Sequence, residues 1–113
     1  NEACEAGLRA EMTGRAADAL ARDSLTHAGL AEQYIHGTGH GTGLEIHEDP
    51  LMSYHSPEDM IVPEHSIVTV EPGVYFPGAG GIRIEDAVVV GRDGCTVLTP
   101  TPKHLDAMIL RRD

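Results

Sequence analysis

The chain has 113 residues, enough for one domain with a modest core. Hydrophobic residues make up 41% of it, which argues against disorder, while aromatics are only 4%, so aliphatic side chains must do most of the packing. A formal charge of −10, with no Lys/Arg cluster before Arg111 and Arg112, repels phosphate backbones and anionic lipid; neither nucleic acid nor membrane is an expected partner. No apolar run approaches the length of a membrane span, and no signal-peptide pattern opens the chain. Cys4 and Cys95 follow no disulfide or metal spacing and read as two free thiols of a reducing compartment.

Residues 1 to 8 read as the end of a helix, punctuated by Thr13 and Gly14. A second helix is expected from Arg15 to Ala28. Ala17, Leu20, Ala21, Leu25 and Ala28 form one apolar stripe, with Asp18, Arg22 and Asp23 facing away. Gly29 stands where a C-terminal cap belongs. Residues 36 to 48 hold four glycines and three histidines, a composition no stable helix tolerates. Residues 49 to 66, with Pro50, Pro57 and Pro63, read as a surface loop. Strands are expected at Ile67 to Glu71, ended by Pro72-Gly73, and at Ile82 to Val90. A third, Cys95 to Leu98, pairs with the second through an Arg92-Asp93-Gly94 turn. Lys103 to Leu110 is a short helix or an extended tail.

Three segments carry chemistry. The first places His36, His40 and His47 among glycines, which let backbone approach a ligand closely. Histidine is the commonest nitrogen ligand and the usual proton carrier near neutral pH. A lone histidine is more often a polar surface or core residue, so the cluster raises the odds without deciding them. The second places Glu71 at the end of an apolar strand, on the face shared by Ile67 and Thr69. It needs a cation if buried, and nothing if solvated. The third, residues 80 to 86, alternates Arg83 and Glu85 against Ile82, Ile84 and Asp86; a cross-strand ion pair with Arg83 is the plain alternative to a metal. One imidazole of the glycine-rich segment and the carboxylates of Glu71 and Glu85 suit manganese, iron, cobalt or zinc, and the lack of thiolates speaks against a structural zinc.

Four segments in order, His-Gly-Thr-Gly-His-Gly-Thr-Gly-Leu at 36–44, Ile-His-Glu at 46–48, Val-Glu-Pro-Gly-Val-Tyr at 70–75 and Gly-Ile-Arg-Ile-Glu-Asp at 81–86, resemble the Xaa-Pro aminopeptidases and prolidases, members of the pita-bread metallopeptidases. The resemblance runs from the second helix to Leu105. It implies an α+β fold in which helices cover a strongly curved antiparallel sheet, incomplete in this chain. It implies a site of two divalent cations, manganese first and cobalt, zinc or iron as alternatives, on five protein ligands. His40, Glu71 and the bridging Glu85 match three of them. His47 matches a histidine contacting substrate and the reacting carbonyl, His36 one lining the substrate pocket, and Arg83 an arginine near the bridging carboxylate. Glu71 is also implied in proton transfer.

The two aspartate ligands of the family have no counterpart here. Asp18 and Asp23 lie on a helix and do not take that role. Residues 1–113 are therefore expected to be the C-terminal portion of a catalytic domain whose N-terminal part is absent, with little activity alone. The expected reaction is hydrolysis of the peptide bond before proline, on a peptide with proline second, in the cytoplasm. A homo-oligomer, or association with the missing half, should cover exposed apolar sheet. The alternatives are a non-catalytic binding module of the same fold and an enzyme of the methionine aminopeptidase or creatinase kind. Two smaller departures remain: Glu64-His65 where the family turns on glycine, and Thr42 where an aliphatic residue is common.

Overall fold

The computed structural model describes residues 1–110; Arg111 and Arg112, the one basic pair noted in the sequence, lie outside the described residues. Two helices open the chain, α1 (Glu2–Gly7) and α2 (Gly14–His27), followed by a 3-10 turn at Ala31–Gln33. Seven strands come next: β1 (Gly39–Gly41), β2 (Glu48–Met52), β3 (Ile67–Val70), β4 (Gly73–Phe76), β5 (Gly80–Arg83), β6 (Asp86–Val90) and β7 (Cys95–Val97). A one-turn helix, α3 (Leu105–Met108), follows. The strands form a five-stranded sheet in the order β2-β1-β3-β6-β7 and a separate β4-β5 hairpin, and every pairing is antiparallel.

The ends of α2 are set by local chemistry. The Thr13 hydroxyl accepts the Ala16 N–H at 3.1 Å, satisfying one of the orphan donors of the first turn. At the other end Gly29 takes φ +74°, the Leu30 N–H bonds to the Leu25 carbonyl and the Gly29 N–H to that of Thr26. These two bonds define the Schellman stop that a glycine in this place announces. The expected stripe holds for Ala17 and Ala21, which are buried, and for Leu20 and Leu25, packed at the edge of the core, whereas Ala28 is exposed. Asp18 departs from expectation. It does not face solvent but is buried at 1% exposure.

The core lies between α1 and α2 and one face of the larger sheet. Val68 and Val70 on β3 and Val88 and Val90 on β6 are completely buried, as alternation on a half-covered sheet requires. The 49–66 segment is not a simple surface loop. Its first residues form β2, and Met52, Ser56 and Val62 are buried, tying the segment under α2. The expected 82–90 strand is two strands in two sheets, broken at Ile84-Glu85; β5 pairs with β4 and β6 with β3. The β6–β7 hairpin forms around Arg92-Asp93-Gly94 as expected, with Val90 opposite Cys95. Cys4 and Cys95 are unbridged.

Before β3, His65 holds φ +69°, the left-handed conformation that glycine adopts freely. Its N–H bonds to the Val90 carbonyl at 2.8 Å, which fixes the turn despite the side chain. His65→Gly is therefore expected to raise the unfolding free energy by about 1 kcal/mol in a urea titration, the left-handed cost being removed and part of the gain returned as chain entropy. An unchanged or lowered midpoint contradicts this.

Candidate metal and proton-transfer site

The site is built where β1 lies against β3. The His40 N–H donates to the Thr69 hydroxyl oxygen at 3.1 Å, and that hydroxyl donates to Glu71 Oε1 at 3.0 Å. His40 Nδ1 lies 2.9 Å from the Gly41 carbonyl oxygen, which can only accept, so Nδ1 carries a hydrogen. Nε2 is thereby turned to Glu71 Oε1, 3.1 Å away. An imidazole nitrogen and a carboxylate oxygen in that relation close favourably only around a proton or a cation. The spacing suits two donors that share a metal at about 2.1 Å from each. Both groups are largely buried, so water does not easily replace either. The residues fit a divalent cation on this ground.

His47 stands beside the pair: its ring is 4.3 Å from that of His40, centroid to centroid, and it is exposed like the loop that carries it. His36 sits on a second network. Its Nδ1–H donates to the Gly37 carbonyl at 2.7 Å, which leaves Nε2 to accept from the Tyr75 hydroxyl at 2.8 Å. Tyr75 in turn accepts from Arg83 Nε at 2.9 Å. Arg83 reaches on toward Glu71, with Nη1 3.7 Å from Oε2. The bond to Tyr75 comes first, and the nearby charges of Glu71 and Glu85 follow, in holding the guanidinium above its ordinary pKa.

The three residues expected to meet at one cation do not all do so. His40 and Glu71 face each other, but Glu85 lies exposed on the connection between β5 and β6. Among the described residues no three His, Cys, Asp or Glu side chains stand close enough to hold a metal ion. The strand break is the physical reason. It ends the alternation that would have kept Arg83 and Glu85 on one face, and Arg83 itself turns to the free oxygen of Glu71. The buried acid of this segment is instead Asp86, bonded by the Thr99 hydroxyl at 2.8 Å and paired with the Lys103 ammonium at 2.9 Å. Burial pushes its carboxyl up, but Lys103, Thr99 and the neighbouring Glu5 carboxyl outweigh that and hold it below its ordinary value. Two participants escaped sequence reasoning. Thr69 shares the Glu71 face by simple alternation and was there to be read; Tyr75 bonds partners 39 and 8 positions away, which no local pattern reveals.

Helices laid against antiparallel sheets are the architecture of the pita-bread metallopeptidases. The chain belongs to metallopeptidase family M24, whose model matches residues 1–92. It is 44% identical over 100 residues to the uncharacterized peptidase YqhT of Bacillus subtilis, covering 88% of this chain and 28% of that protein. The structure of a Xaa-Pro dipeptidase from Bacillus anthracis superposes with a TM-score of 0.87 at 48% identity, covering 92% of this chain and 29% of that one. An X-prolyl aminopeptidase from Caenorhabditis elegans, described as a cytosolic enzyme with a di-nuclear active site, matches with a TM-score of 0.74 at 30% identity, over 93% of this chain and 19% of its own. The chain thus spans less than a third of the length of each of these relatives. No helix among the described residues is long and apolar enough to cross a membrane.

Proposed function

We propose that this chain supplies part of the site of a divalent-metal-dependent peptidase that cleaves the bond preceding proline, as a Xaa-Pro dipeptidase or aminopeptidase. The observation that carries the reading is His40 Nε2, freed by its Nδ1 bond and held 3.1 Å from Glu71 Oε1. His40 and Glu71 would hold metal, and Glu85, which stands apart from them in this chain, would join them only in a complete site of two cations, manganese first and cobalt, zinc or iron as alternatives. Bound cations of this kind polarise a carbonyl and bring the pKa of water down to about 7. The chain's own residues do the rest. Glu71, aimed by Thr69 and Arg83, takes and returns a proton at its carboxylate. His47, beside His40, donates to the oxygen that gains charge as the carbonyl is attacked. His36 and Arg83, joined through Tyr75, line the pocket for a peptide with proline second. The cytosolic relative supports a cytoplasmic setting.

Only three of the five ligands implied by the resemblance match residues here, so the 113 residues alone should hydrolyse little. The exposed side chains of Leu44, Ile46 and Ile82, at 105, 76 and 60%, support association with a second copy or with further polypeptide of the same domain. The test is release of free proline from a Xaa-Pro dipeptide with Mn²⁺, by this chain and by a polypeptide in which it is joined to a family N-terminal segment carrying two aspartates. Activity of the longer form alone is the expected result. Glu71→Gln should then weaken Mn²⁺ binding by at least about tenfold, a loss that even partners of metal ligands cause. Release of methionine instead of proline would move the assignment to the methionine aminopeptidases, and no hydrolysis by either form would leave a binding module.

A further inference from the structure

We propose that Arg22 and Asp18, one turn apart on α2, are positioning residues that set the placement of His36 and of the Glu71 backbone. The inference rests on the reading above only in giving those two residues a use. The geometry stands by itself. Arg22 Nε and Nη2 donate to the two oxygens of Asp18 at 2.6 and 3.2 Å, a fork-on-fork pair. The same guanidinium donates through Nη1 to the Tyr34 carbonyl at 3.1 Å and through Nη2 to the His36 carbonyl at 2.8 Å. Its plane is fixed between two rings, those of Tyr34 and Tyr54, each 4.2 Å from the guanidinium carbon.

Asp18 extends the clamp. Its Oδ1 shares the Thr38 N–H, 2.9 Å away, with the Met52 carbonyl at 2.8 Å, and accepts the Thr38 hydroxyl at 3.0 Å. With that hydrogen committed, the Tyr34 hydroxyl donates to Thr38 Oγ1, 2.6 Å away. The Thr38 carbonyl then accepts the Glu71 N–H at 2.7 Å. Two links therefore join the helix to the backbone of the candidate proton-transfer carboxylate, and one link joins it to the backbone of His36. The segment needs such anchors because Gly37 and Gly39 have no side chains to hold it, and glycine backbone carries the largest conformational entropy. A surface ion pair would not be buried this way. Asp18 is 1% exposed, and every bond its side chain makes, other than to Arg22, goes to Thr38.

The test uses the 113-residue chain and reads the ring nitrogens of its histidines and its backbone amides by NMR, with thermal midpoints and far-UV circular dichroism to establish folding. In the unaltered protein His36 should show one tautomer, with hydrogen on Nδ1, and the Glu71 amide should exchange slowly. Arg22→Lys keeps the charge but loses the fork and the stacked plane. It should mix the His36 tautomers and speed Glu71 amide exchange by about tenfold or more. Asp18→Asn should do the same at Glu71 while moving His36 less. Arg15→Lys, on the same helix but bonded to Ser56 and Glu58, should leave both signals in place. If Arg22→Lys does not fold, Tyr54→Leu decides: it removes one stacking face from a partly exposed position, and the same changes at smaller amplitude are expected. A folded Arg22→Lys, or failing that a folded Tyr54→Leu, with His36 and Glu71 unchanged overturns the proposal. None of these readouts involves metal or hydrolysis, so the clamp can fail while the peptidase reading stands, and the reverse.

Discussion

Gly39→Ala is expected to cost the chain about 3 kcal/mol, at the upper end of what overpacking does, and to shift its urea midpoint accordingly. A Cβ on Gly39 would stand 1.8 Å from the Thr69 carbonyl oxygen and 2.7 Å from its carbon. Both are backbone atoms of a sheet interior, not the movable end of a side chain. Thr69 pairs with Ala87 on β6, and its hydroxyl is tied to His40 and Glu71, so β3 cannot retreat without breaking its own ladder. β1 cannot retreat either, because β2 holds its other edge. Separation of β1 from β3 would also pull the His40 ring from Glu71, so fold and site should fail together. Gly94→Ala is the matched control: nothing lies within 4 Å of its Cβ, and the same measurement should move by less than about 0.5 kcal/mol. A Gly39→Ala protein as stable as Gly94→Ala would show that the strands are not packed as closely as described.

What the sequence allowed, and what it withheld, follows the range of the forces involved. The α2 helix was legible because its signals are local: Thr13 before it, an apolar stripe along it, Gly29 after it. The β6–β7 hairpin was legible for the same reason. The break at Ile84-Glu85 was not. No glycine or proline interrupts residues 82 to 90; the alternation lapses at Glu85-Asp86, and pairing with two different partners, β4 and β3, divides them. Asp18 shows the limit most sharply. By helical spacing it belongs to the polar face, and a carboxylate is rarely found fully buried. It is buried because Arg22 and Thr38 together satisfy its oxygens, and Thr38 is twenty positions away. In the site, the resemblance implied Glu71 beside His40, whereas the turning of Arg83 toward Glu71 through Tyr75 depends on the β4–β5 hairpin, whose first strand lies where the sequence was read as a stop at Pro72-Gly73.

Raising the pH above about 9 should destabilise the protein steeply, by about 1.4 kcal/mol per unit from one thiol alone. Cys4 is completely buried, and burial pushes its thiol up from 9.0 to about 12. The nearby N-terminal ammonium pulls the other way and does not prevail. In the unfolded chain this thiol ionises near 9; in the folded chain it keeps its proton to about 12. Between those values the folded state binds more protons, so stability falls as pH rises, and the full contribution is present only below 9. Tyr34 acts in the same direction, burial raising its phenol first and foremost, and it begins to contribute above its ordinary value of 10.0. Both side chains lie in the core beneath α2, Cys4 with its Sγ 3.8 Å from the Ala17 carbonyl and Tyr34 stacked on Arg22. Burial raises the half-buried Cys95 thiol on β7 as well, so alkaline loosening should reach the β6–β7 hairpin along with α2. Urea midpoints measured from pH 7 to 11 check the slope, and Cys4→Ala and Tyr34→Phe should each flatten it while costing some stability at pH 7. An unaltered slope in Cys4→Ala would mean that the thiol ionises in place and that this part of the core already admits water.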